Sequence, residues 1–93
     1  MQGSAGPVQL QAVLTPANGW VRVSATVRGI PPGERCAIVV VAEDGTEQIA
    51  GSWLTGRDPN AAPIDGSAVI APEDVAAIAV RNDAGREFIS VAA

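Results

Sequence analysis

The chain is predicted to be all-β, an antiparallel two-layer sandwich of about seven strands. Turn-forming residues recur every eight to twelve positions along its 93 residues, the rhythm of short strands joined by tight connections. Hydrophobic residues make up 47% of the chain and aromatics only 3%, so a core must be built from Val, Ile, Leu and Ala, which suit pleated strands. The clearest local signal lies between Trp20 and Arg28, where Val21, Val23, Ala25 and Val27 alternate with Arg22, Ser24, Thr26 and Arg28. That period of two needs one dry face and one wet face.

The elements follow in order. Met1 to Gly6, MQGSAG, reads as a start residue and a flexible linker, leaving residues 7–93 as a single domain. Val8 to Thr15 alternates Val8, Leu10, Ala12 and Leu14 against Gln9, Gln11 and Thr15, and Pro16 to Gly19 turns the chain. The Pro-Pro-Gly turn at 31–33 leads into Cys36 to Ala42, apolar throughout, which marks a central strand covered on both sides. Asp44-Gly45 closes a hairpin. Glu47 to Leu54 returns less regularly, with Gly51 marking a bulge or a tight packing contact.

Thr55 to Gly66 is the longest irregular segment, and Ser67 to Ile70 a short strand. Ala71 to Arg81 carries two sets of signals. Pro72, two acids and a closing Arg81 suit a helix, whereas Ile78 and Val80 alternate toward a hairpin turn at Asn82 to Gly85. The preferred reading is one helical turn over Pro72 to Val75, then a strand that pairs with Arg86 to Val91. Together these elements suggest an immunoglobulin-like sandwich, with Val21, Val23, Val27, Ile38, Val40, Trp53, Ile78 and Phe88 in one core.

The chemistry-bearing inventory is short. The chain has no His, no Lys and no Tyr, so imidazole bases, Schiff-base amines and imidazole metal ligands do not exist in it. Cys36 lacks a His partner, which excludes a thiol hydrolase, and its place in an apolar run suits a small buried hydrophobe, with a redox role as the alternative. Asp58-Pro-Asn60 begins like a calcium loop, but Ala62 and Pro63 stand where the next acid and the turn glycine belong. The glycines form no phosphate-binding fingerprint. No enzyme activity, metal or cofactor is expected.

Net charge is −4, and the six arginines form no cluster, so neither nucleic acid nor anionic lipid is an expected partner. The longest apolar run falls far short of the roughly 20 residues that a membrane span needs. Two features are candidates for recognition. Arg57, Asp58 and Asn60 lie in the long irregular segment, where binding residues tend to sit. Trp20 lies on the polar register of its strand, either as an exposed binding aromatic or as a cover for the end of the sandwich.

One pattern spans nearly the whole domain. Trp20 precedes a strand, a Gly29-to-Gly33 turn and Arg35-Cys36; Asp44-Gly45 and Ala50-Gly-Ser-Trp53 follow, then a closing hairpin from Val75 to Val91. This resembles the extracytoplasmic domain of actinobacterial zinc-finger anti-sigma factors. The resemblance implies a β domain outside the membrane, on a single-span protein whose cytoplasmic region holds a sigma factor. The His-x3-Cys-x2-Cys motif, the sigma-binding helices and the span of such proteins are not in this segment. A sigma factor would therefore be reached only through those missing parts. A protein or small ligand on the outer side would be met by this domain. A secreted or surface immunoglobulin-like binding or adhesion module is the alternative that fits the same strands.

Overall fold

A computed structural model describes residues 1–57 and 63–93. Among these residues, eight strands form two antiparallel four-stranded sheets. The first has the order β1-β2-β3-β6, from Gln2–Ala5, Val8–Pro16, Val21–Arg28 and Ile64–Ala68. The second has the order β5-β4-β7-β8, from Glu47–Leu54, Arg35–Ala42, Val75–Asn82 and Glu87–Ala92. The chain crosses between sheets after β3, after β5 and after β6, so β3 meets β6 and β4 meets β7 across gaps in sequence. With β1 set aside, this is the predicted immunoglobulin-like sandwich of seven strands, three facing four.

The core follows the alternation. Leu10, Val21, Ile38, Val40, Ile78 and Val80 are the largest fully enclosed side chains, and both inner faces contribute to one cluster. Of the eight residues expected there, Trp53 differs: it is half-buried and leans on the rim of the core. Its place opposite Cys36, near the end of the β4–β5 pair, leaves no strand to cover its outer side.

Two expectations need correction and a third holds. The presumed linker, residues 1–6, supplies β1, which pairs with β2 from Gln2↔Gln11 to Ala5↔Val8. Small residues let it close the sandwich side, since a side chain at Gly3 would run into Val91 of β8. The short strand expected over Ser67 to Ile70 instead spans Ile64–Ala68. There the turn-like Asp65-Gly66 is strand because Gly66 lies against the Ala50 carbonyl, where no side chain fits. At Pro72–Asp74 a single 3₁₀ turn leads directly into β7, the preferred of the two readings.

The apolar run of β4 has a specific cause. Val39 points away from the core yet is only 5% exposed, and Ala79 beside it on β7 is fully enclosed. Arg81 lies across this outer face, paired to Glu47 at 2.7 Å and to Glu87 at 3.3 Å. Arg81 stands opposite Ala37 and Glu47 opposite Val41, so the guanidinium stem runs diagonally over Val39. Both sides of β4 are thus covered, one by the core and one by a salt-bridged arm. Gly51 serves as bulge and close contact together. The β4–β5 register slips at Ile38/Val39, leaving Ala50 unpaired, and Gly51 sits against Ile64 of β6. Among the described residues, no helix is long and apolar enough to cross a membrane.

Candidate functional site

Trp20 ends the Pro16-to-Gly19 turn and enters β3 on the outward register, as its alternation with Val21 requires. It is half-buried, with the Arg22 guanidinium 5.9 Å from its ring centre. It covers one end of the first sheet and also lines a surface trough of about 480 Å³ with Thr15, Arg22, Asp65 and Ser67. Arg57 is exposed just beyond β5. Asp58 and Asn60 lie outside the described residues. Of the long irregular segment, Thr55 is a tether: its one hydroxyl proton is shared between the Pro31 and Glu34 carbonyls, and its oxygen accepts from the Glu34 amide, at 2.8 to 3.0 Å. The end of β5 is thereby fixed to the turn that launches β4.

The remaining titratable groups have structural surroundings. Cys36 is 3% exposed, and burial, reinforced by Glu34 and Asp83, pushes its thiol up. Such a thiol holds its proton and is a poor nucleophile. The Asp44 carboxylate accepts from the Thr46 amide at 2.9 Å, which tightens the hairpin turn and draws its pKa down. The hydrogen bonds from Arg81 draw Glu47 down in the same way. Among the described residues, no three His, Cys, Asp or Glu side chains come together as a metal site.

A second surface emerges only from the strand registers. On the outer face of the first sheet, Gln2, Gln11 and Thr26 form one cross-strand row, and Ser4, Gln9 and Arg28 the next. These six polar side chains line a shallow trough of about 520 Å³. Its only internal side-chain bond is a long one, 3.4 Å from Gln11 to Gln2, so most of the amide donors and acceptors stay open to a ligand. From sequence, Gln9, Gln11, Thr26 and Arg28 are the solvated side of two strands, whereas Gln2 and Ser4 fall in the presumed linker. The signal available was the placement of three of the chain's four glutamines on neighbouring outward positions.

Comparison of this chain with protein-family models, with curated proteins and with solved structures found no match.

Proposed function

We propose that this is a non-catalytic recognition domain, the extracytoplasmic sensory part of a membrane-anchored anti-sigma factor that controls release of its sigma factor. One observation carries the reading. The two halves of the motif behind the resemblance are distant in sequence but are direct partners in the sheet, with Cys36 opposite Trp53 and Ile38 opposite Gly51. The Gly29-to-Gly33 turn is bound to the same unit, since the Gly33 amide donates to the Thr55 carbonyl at 2.9 Å. The pattern of spaced small and apolar residues is therefore one physical assembly, which supports treating it as a family signature instead of a coincidence of composition. The signal would be met by the exposed surface, and the sigma factor by the cytoplasmic region that this segment lacks.

The test begins with the reading frame. It should encode, ahead of this segment, an apolar span of roughly 20 residues and a His-x3-Cys-x2-Cys motif. With the whole protein and its sigma factor co-expressed, replacing residues 2–93 by an unrelated sandwich should change the output of a sigma-dependent reporter. A frame without a span, an unchanged reporter, or capture of the sigma factor by the isolated domain would overturn the proposal. The alternative, a secreted or surface binding module, is favoured by the polar outer face of the first sheet, with the Trp20 trough at one end.

A further inference from the structure

Charge is distributed very unevenly along this chain. Every one of its ten carboxylates lies at or beyond Glu34, so residues 1–33 carry two arginines and no acid, while residues 34–93 carry four arginines against ten acids. Strands β1, β2 and β3 all fall in the acid-free part. Their shared outer face therefore carries two arginines and no acid of its own, on a protein whose net charge is −4. By register, Asp65, opposite Ser24 on β6, is the one acid this face receives among the described residues. Arg28 and Arg22 have no carboxylate within ion-pair distance among the described residues, in contrast to Arg81.

The geometry of the face is that of a long shallow channel. Arg28 stands in the row of Ser4 and Gln9, and Arg22 in the row of Thr15 and Ser67, beside Trp20. Arg22 and Arg28 are six positions apart on one strand, which sets their backbones roughly 20 Å apart at about 3.3 Å per residue. Gln9 stands beside Arg28, and between the two arginine rows lie the amide of Gln11 and the hydroxyls of Thr26 and Ser24. Between the two ends lies a third trough of about 330 Å³, lined by Val13 and Pro63 among others, which shares Gln2, Gln11 and Thr26 with the trough at Arg28 and Ser24 with the trough at Trp20.

We propose that this face binds an acidic oligosaccharide. Two of its carboxylates would lie on Arg28 and Arg22, its hydroxyls on Gln9 and Gln11, and one ring against Trp20. Each part answers to a chemistry on the page. A guanidinium fork matches a carboxylate in paired hydrogen bonds. A primary amide presents a donor and an acceptor side by side, which suits neighbouring hydroxyls of a sugar. An indole offers a flat apolar body with a polar tip, fitted to the C–H face of a pyranose. A protein partner would need a cluster of aromatic or aliphatic anchors; among the described residues of this channel, Val13 is the one large aliphatic side chain that is exposed, with Pro63 beside it and the half-buried Trp20 at the end. The proposal deepens the function proposed above, because it assigns a ligand class to the outer-side signal. It rests on that reading only for where the ligand is met.

Titration of the 93-residue chain with a hexamer of galacturonic acid, followed by calorimetry and by amide shifts in nuclear magnetic resonance, tests it directly. Binding should occur, weaken as salt is raised, and shift amides of β1, β2 and β3 while leaving β4 and β7 still. Arg28→Gln and Arg22→Gln should each weaken it about tenfold or more, the effect of losing one charge-assisted hydrogen-bonded contact. Both side chains project outward, so unchanged circular dichroism should accompany the loss. A neutral glucose hexamer should bind at least tenfold more weakly. The proposal is overturned by absence of uronate binding at millimolar concentration, by equal binding of hexaglutamate, or by shifts on the second sheet. Shifts that depend on protein concentration alone would assign the face to a second copy of this chain and overturn it equally. No sigma factor takes part, so failure here leaves the transcriptional reading standing, and failure of the reporter leaves glycan binding standing.

Discussion

Gly66→Ala should destabilise this domain strongly, although a general rule for strands predicts the reverse. Gly66 has no positive φ, so alanine meets no backbone strain there, and the smaller unfolded-state entropy of alanine favours folding by about 0.4–1 kcal/mol. The obstacle is β5. A methyl group at Gly66 would fall inside contact distance of the Ala50 carbonyl oxygen and 2.7 Å from its carbon. Backbone cannot rotate away as a side chain can, so β6 would have to leave β5 and open that side of the sandwich. Overpacking of this kind costs about 1–3 kcal/mol, and a clash with main chain belongs at or above the upper end. For a domain of this size about 3 kcal/mol lowers Tm by roughly 15 °C. Two controls isolate the cause. Gly51→Ala would meet only a methyl of Ile64 at 2.9 Å, which can shift, and should cost about 1 kcal/mol. Gly56→Ala meets nothing within 4 Å and should stay within about 0.5 kcal/mol of the parent. Thermal melts and urea titrations followed by circular dichroism measure all three. A Gly66→Ala variant that melts at or above the parent would refute the close approach of β5 and β6.

Ile78→Ala, at a fully enclosed position, should cost about 2–5 kcal/mol in urea unfolding, whereas Val13→Ala, at 65% exposure, should change stability by less than about 0.5 kcal/mol. Native Cys36 should react slowly with a thiol reagent and quickly once unfolded; rapid labelling of the folded chain would contradict its burial. Because burial raises its folded-state pKa, the neutral thiol contributes stability that is full below the ordinary thiol pKa and is lost as pH rises through the folded value. The urea midpoint of the parent should therefore fall further than that of Cys36→Ala between about pH 7.5 and pH 10. Deletion of residues 1–5 should lower Tm and promote self-association, since it strips β1 from β2 and bares a long hydrogen-bonding edge; an unchanged melt would return that segment to the status of a linker.

Where side-chain alternation decided the structure, it was readable in advance. The Val21-to-Val27 series fixes one face of β3, and the apolar run of β4 marks the central strand of its sheet. The turn chemistry of Asp44-Gly45 and Asn82-to-Gly85 was equally direct. Asn82 supplies the last of these turns with two bonds, from the Ala84 and Arg86 amides to its side-chain oxygen, at 3.1 and 2.8 Å. Reading failed where backbone, not side chains, makes the contact. Gln2–Ala5 is a strand because its peptide groups complete the edge of β2, and its small side chains carry no periodic signal at all. The Asp65-Gly66 pair looks like a turn, yet the glycine is there because β5 comes too close for anything larger.

The candidate surface was hidden for a related reason. A net charge of −4 describes the whole chain, whereas a ligand meets one face of it. Averaging cancels the acid-free strands β1 to β3 against an acidic remainder, and an unclustered set of arginines then looks inert. Registers undo the averaging. Arg28 is distant in sequence from Ser4 and Gln9 but shares a row with them, and Arg22 shares one with Thr15 and Ser67. The same registers bury the motif residues Cys36, Ile38 and Ala50 in the core cluster that joins the sheets. The residues behind the family resemblance are thus largely the ones that build the sandwich, and those free to meet a ligand lie on the opposite side of the first sheet. Trp20 is the one residue common to the family pattern and the proposed binding face, so variants at Arg22 and Arg28 test the face without touching the pattern.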